Sequence, residues 1–220
     1  MSKDIILDIK IPNIKDIEKK LRGMEKEAPK VLRNAVNKTL RETSKLMVKS
    51  VKANYVVRNA PANKTIEIDK AKGKKFSGKV VSKSTKRIEL FGFSVSSKKP
   101  QPLNPSDIRA KLKKKGARKA LPGNADRSAA FVAQMKSGHT GVFQRVLGYS
   151  VKNSTERTDR RAHSKWAGSP DYRIAELYGL PIPYMMGEEE AAKGIKKEAE
   201  EFLKKQIDEE ISKIIRKGKK

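Results

Sequence analysis

The stretch Ala129-Ala130-Phe131-Val132-Ala133-Gln134-Met135-Lys136-Ser137-Gly138-His139-Thr140-Gly141-Val142-Phe143-Gln144-Arg145 reads as two short strands joined by a tight turn. Phe131, Ala133 and Met135 alternate with Val132, Gln134 and Lys136, the period of two that a strand imposes. Ser137-Gly138 supplies the turn, because glycine takes positive φ without steric cost. Gly141 is expected to take positive φ as well. Val142 and Phe143 then resume an apolar run. Outward from this hairpin the apolar period changes from two to about 3.6 on both sides, which predicts an α+β fold: an antiparallel sheet packed by a long N-terminal and a long C-terminal helix.

The N-terminal helix is predicted over 28–53. Leu32, Ala35, Val36, Thr39, Leu40, Thr43, Leu46, Met47 and Val51 fall at spacings of three and four and share one face. Pro29 suits the first turn. Lys30, Arg33, Lys38, Arg41, Lys45, Lys49 and Lys52 occupy the opposite face, a solvated surface or one that meets a polyanion. The C-terminal helix is predicted over 188–217. Glu188, Glu189 and Glu190 lie at its positive end and Arg216 and Lys217 at its negative end. Its stripe of Ile195, Ala199, Phe202, Leu203, Ile207, Ile211, Ile214 and Ile215 is expected to pack on the sheet of its own subunit or to share in a subunit interface. Residues 1–27 read as an arm, a strand over 3–11 and then a short helix capped by Asn13 after Pro12. Residues 28–220 read as one domain.

Further strands are expected at 65–69, 79–83 and 87–95, joining 130–136 and 141–146 in a single sheet with Val80, Ile88, Leu90 and Phe93 on its buried face. Leu177, Tyr178, Leu180, Ile182, Tyr184 and Met185 are expected to run extended against the sheet or a neighbouring subunit, since Pro181 and Pro183 cannot donate backbone hydrogen bonds. Pro100, Pro102, Pro105 and Pro122 mark 97–128 as a mobile basic loop, and 150–170 reads as a second one.

Charge separates this chain from an ordinary globular protein. It has 220 residues, 52 Lys and Arg against 25 Asp and Glu, and a net charge of +27. Residues 70–165 hold 25 basic and 5 acidic residues, so a net +20 is placed in the middle section. Such a surface attracts polyanions. Lys111, Lys113, Lys114, Lys115, Arg118 and Lys119 are the leading candidates for contact with DNA phosphates or an acidic partner. Arg157, Arg160 and Arg161 come second. No cysteine is present, so disulfides and thiolate metal sites are excluded. No segment approaches the ~20 apolar residues that span a bilayer, and no secretory leader is expected. The two histidines, His139 and His163, lack neighbours in sequence that would complete a metal site. His139 is expected to pack or hydrogen-bond locally in its turn. Neither a P-loop nor a linked set of carboxylates for Mg²⁺ is recognisable, and no enzyme is expected. No aromatic residue interleaves the basic run at 109–119, which argues against a base-stacking platform.

The motifs AFVAQMKSGHTGVFQR (130–145) and RIAELYGLPIPYMM (173–186), followed by a charged C-terminal helix, resemble the minor tail protein Z family of long-tailed bacteriophages and prophages. AVNKTLRETSKLMVKSVKANYVV (35–57) resembles the helix that opens this family more loosely. The resemblance implies a structural virion protein without catalytic activity or cofactor, completing the tail at its head-proximal end. It implies a homo-oligomeric ring, six-fold as is usual in such tails, between tail terminator and head–tail connector proteins, with packaged double-stranded DNA in the lumen. Phe131, Gly138, His139, Gly141, Val142, Phe143, Arg145, Leu177, Tyr178, Gly179 and Pro183 are the motif residues, expected to be structural. Composition alone favours a second reading, a non-specific nucleic-acid-binding protein with no virion role.

Overall fold

The computed structural model describes residues 4–11, 14–21, 25–58, 62–73, 75–100, 108–150 and 172–218. The chain divides into two compact units. A terminal unit comprises Met1–Tyr55, Ala60–Arg87 and Leu180–Lys220, and an inserted unit comprises Val56–Asn59 and Ile88–Gly179.

In the terminal unit, helix α1 spans Ile14–Lys20 and helix α2 spans Ala28–Asn54, with a proline in its first turn as the sequence predicts. The buried side of α2 carries Val31, Leu32, Ala35, Val36, Leu40, Met47 and Val51. Thr39 and Thr43 share that side at no cost in stranded hydroxyls, since they donate to the carbonyls of Ala35 and Thr39 at 2.9 and 2.8 Å. Helix α3 (Ile182–Met186) and helix α4 (Glu189–Gly218) complete the helices. Ile195, Ala199, Leu203, Ile207 and Ile211 of α4 are buried. They meet chiefly α2 rather than the sheet, a correction to the expected packing.

Strands β1 (Ile5–Lys10), β2 (Ile66–Asp69) and β3 (Ser77–Ser82) form an antiparallel sheet in the order β1-β3-β2. Leu7 and Ile68 both pair with Val80. Thus the strand of the expected arm is hydrogen-bonded along six residues into the sheet. The expected cap Asn13, with Pro12, lies outside the described residues.

In the inserted unit, the expected strand over 87–95 breaks. Strand β4 (Arg87–Glu89) gives way to a 3₁₀ turn at Leu90–Gly92, then to β5 (Ser94–Val95). Leu90 and Phe93, 5% and 1% exposed, are three residues apart. A strand would send them to opposite faces, whereas a 3₁₀ turn puts i and i+3 on the same side. Strands β6 (Arg109–Lys111) and β7 (Lys119–Ala120) pair with β5 in the order β5-β6-β7, inside the region expected to be a mobile loop. Strands β8 (Phe131–Gln134), β9 (Thr140–Ser150) and β10 (Tyr172–Glu176) form an antiparallel sheet in the order β10-β9-β8. Strand β11 (Tyr178–Pro181) pairs with β4. The described strands therefore belong to four small sheets, and Val80 does not share one sheet with Ile88, Leu90 and Phe93. Only Tyr178–Pro181 of the proline segment is extended, because Pro183 enters the first turn of α3. Among the described residues, no helix is long and apolar enough to cross a membrane.

Candidate polyanion-contact surface

The basic run is held by short strands. In β6, Ala110 is 3% exposed and faces the core of the inserted unit with Val95 and Ile108. The alternation of a strand then turns Arg109 and Lys111 to the other face. Lys111 pairs with Ser94 and Lys119 with Ala110. Lys113, Lys114 and Lys115 lie exposed on the connection between β6 and β7. Arg118 Nη2 donates to Ser94 Oγ at 3.1 Å, which fixes its side chain along the sheet. Ser96 Oγ accepts from the Arg109 backbone N–H at 3.0 Å, and the Arg109 carbonyl accepts from Ser96 N–H at 2.8 Å.

Among the described residues, ion pairs of lysine with carboxylates occur in the terminal unit. In the terminal unit, Lys38 and Lys213 hold Glu210, Lys20 holds Asp208, Lys30 holds Glu27, Lys45 holds Glu42, Lys75 holds Asp69 and Lys193 holds Glu189. The expected solvated face of α2 is therefore partly engaged, and Arg33 also donates to the Gly73 carbonyl at 2.8 Å. Among the described residues of the inserted unit, Lys111, Lys114, Lys115, Arg118 and Lys119 pair with no carboxylate. The described acidic residues of that unit are Glu89, Asp126 and Glu176.

The motif at 130–145 builds a hairpin. Met135 N–H donates to the His139 carbonyl at 2.7 Å, and Gly138 N–H to the Met135 carbonyl at 2.9 Å. This is a three-residue loop closed by a left-handed residue, and Gly138 has φ +84°. Gly141 differs from its expectation. It pairs with Ala133 and does not take positive φ, but a Cβ there would lie 2.5 Å from Glu176 Oε1 and 2.9 Å from the Phe143 ring. Space, not φ, requires that glycine.

Phe131 pairs with Phe143, which pairs in turn with Glu176, so all three share one face. Arg145 lies over the Phe131 ring at 4.6 Å, a cation–π contact. Val132 and Val142 are fully buried on the other face. Leu177 links two sheets, its N–H donating to Val142 and its carbonyl accepting from Leu90 N–H, each at 2.8 Å. At Gly179 a Cβ would meet the Phe93 ring at 2.4 Å.

His139 is not confined to its turn. Its Nε2 lies 2.7 Å from Glu176 Oε1, a residue 37 positions away. The hydrogen bond to that carboxylate raises the imidazole above its usual range. Tyr178 donates to Glu176 Oε2 at 3.0 Å, and the same carboxylate raises its hydroxyl.

The structure thus gathers the six residues of 111–119 on one small sheet and its connection, and gathers the motif residues around the β8–β9 hairpin and β10. Pro183 belongs to α3 of the terminal unit. Arg157, Arg160 and Arg161, with the 150–170 loop beyond Ser150, lie outside the described residues. Sequence reasoning missed Glu176 and Glu89 as neighbours of His139, since only the β9–β10 register and the bend after β4 bring them there. Comparison with known protein families, with characterised proteins and with solved structures gives no match for this chain.

Proposed function

We propose that this chain is a structural protein of a phage or prophage tail, completing the tail at the head-proximal end as a ring. In this reading the cations of the inserted unit face DNA phosphates in the lumen or acidic faces of neighbouring rings. The observation that carries it is charge without a partner: among the described residues, Lys111, Lys114, Lys115, Arg118 and Lys119 meet no carboxylate, while Lys20, Lys30, Lys38, Lys45, Lys75, Lys193 and Lys213 of the terminal unit do. A surface of this kind gains most when an external polyanion neutralises it. The resemblance at 130–145 and 173–186 supplies the tail and the connector as setting, and structural rather than catalytic work as the role. Tyr184, in α3 and 46% exposed, is one exposed apolar residue that a neighbouring copy would cover.

The same charge supports a second reading, a non-specific nucleic-acid-binding protein without a virion role. Assembly state separates the two. Light scattering on the purified full chain, with and without a short DNA duplex, should report a closed oligomer, six copies in the tail reading. A chain that stays monomeric at every concentration, yet binds duplex, would favour the second.

A further inference from the structure

We infer that Glu89, His139 and Glu176 form a binding site for a divalent transition-metal ion of the zinc class. The three come from separate elements: the end of β4, the turn between β8 and β9, and the end of β10. One ligand atom from each lies within 4.8 Å of the other two. Tetrahedral coordination at ~2.0–2.1 Å sets donor atoms about 3.3 Å apart, so small side-chain rotations close the set around an ion.

Three further observations make this more than a chance meeting. First, the placement of charge is selective. The inserted unit has three described carboxylates, and two of them, Glu89 and Glu176, are here. Second, in a unit crowded with Lys and Arg, neither carboxylate pairs with either residue type among the described residues; the partner of Glu176 is the imidazole Nε2 of His139. Two carboxylates this close repel each other unless a cation lies between them. Third, two of the donors are held. Gly141 leaves the space into which Glu176 Oε1 projects. Tyr178 orients the same carboxylate through Oε2, and the His139 ring stands edge-on to Phe143 with centroids 6.4 Å apart. Such outer contacts fix the direction of a ligand before the ion arrives.

The donor chemistry selects the ion. One imidazole nitrogen and two carboxylates suit Zn²⁺ and its first-row neighbours, whereas Ca²⁺ and Mg²⁺ prefer oxygen alone. The His139 side chain is 36% exposed, so water or a donor from elsewhere can fill the remaining positions. An ion here would tie the hairpin to β4 and β10. This inference does not depend on the tail reading.

The test is titration calorimetry of the untagged, chelator-treated full chain with ZnCl₂, and with CaCl₂ as the control. The visible absorption of added Co²⁺ gives an independent report of nitrogen and oxygen ligands. One equivalent of Zn²⁺ should bind in the micromolar range, with Ca²⁺ far weaker. His139→Ala and Glu89→Gln should each weaken binding at least about tenfold, the scale expected for a lost ligand or its support. Glu89 is exposed, so Glu89→Gln tests the site without threatening the fold. His163→Ala should leave binding unchanged. The inference is overturned if the parent protein binds no Zn²⁺, if the two site variants bind as it does, or if His163→Ala removes the binding instead.

Discussion

Glu210 offers a direct test of how α2 and α4 are held together. Its side chain is 10% exposed, yet it carries a charge. Burial opposes that charge, but hydrogen bonds from Lys38 at 2.6 Å, Lys213 at 2.9 Å and Asn34 at 3.2 Å more than offset the opposition. The carboxyl is lowered from the usual 4.5 to about 2. A depression of that size corresponds to roughly 3 kcal/mol, at about 1.4 kcal/mol for each pH unit. Lys38 and Lys213 are half exposed, and solvent screens them, so about 2 kcal/mol is the expectation for Glu210→Gln at pH 7. The folded pKa lies below the unfolded one. The contribution is therefore complete above pH 4.5, shrinks as pH falls between 4.5 and 2, and is gone below 2. Urea unfolding of both proteins at pH 7 and at about pH 2.5 measures it. The parent should exceed the variant by about 2 kcal/mol at pH 7 and by well under half of that at the lower pH. An equal gap at both values would refute the charge-based account, and a gap under about 0.5 kcal/mol at pH 7 would mean that the cluster contributes little.

Three other changes probe the hairpin and the exposed tyrosine. Gly138→Val forces a β-branched residue to φ +84° and should cost about 1 kcal/mol or more in thermal or denaturant unfolding, with Gly138→Asn costing less. Gly141→Ala places a methyl 2.5 Å from Glu176 Oε1; about 1–3 kcal/mol should be lost by overpacking, and an unchanged stability would show that Glu176 moves aside freely. Tyr184→Ser should change unfolding by no more than about 0.5 kcal/mol, as is usual for surface positions, while lowering the oligomer mass seen by light scattering. Unaltered assembly would remove Tyr184 from the interface.

Both long helices were legible because an amphipathic stripe repeats over many turns, and their observed ends, Ala28–Asn54 and Glu189–Gly218, fall close to those read from periodicity. Packing partners were less legible. The stripe of α4 states that it must be covered but not whether helix or sheet covers it. Strands β6 and β7, three and two residues long, fall below the length at which alternation can be recognised, and the lysines around them mimic a loop. Leu90 and Phe93 did carry a usable signal, two large apolar residues at a spacing of three inside an apparent strand. Gly138 was readable as a turn residue, whereas the reason for Gly141 depends on Glu176, which reaches it only through the β9–β10 register. The candidate basic surface was legible as composition. That Lys111, Lys114, Lys115, Arg118 and Lys119 meet no carboxylate among the described residues was not, since pairing is set in three dimensions.

In the proposed function, the cations of the inserted unit meet an external polyanion. Replacing Lys111, Lys113, Lys114, Lys115, Arg118 and Lys119 by Gln together, and measuring affinity for a DNA duplex across a salt series, tests it most directly. Each phosphate contact adds about 0.9 to the slope of log affinity against log salt. The parent protein should bind duplexes of unrelated sequence alike, with a steep slope. The six-residue variant should bind more weakly, with a slope smaller by roughly 3 to 5. A variant whose affinity and slope both equal those of the parent would contradict the claim.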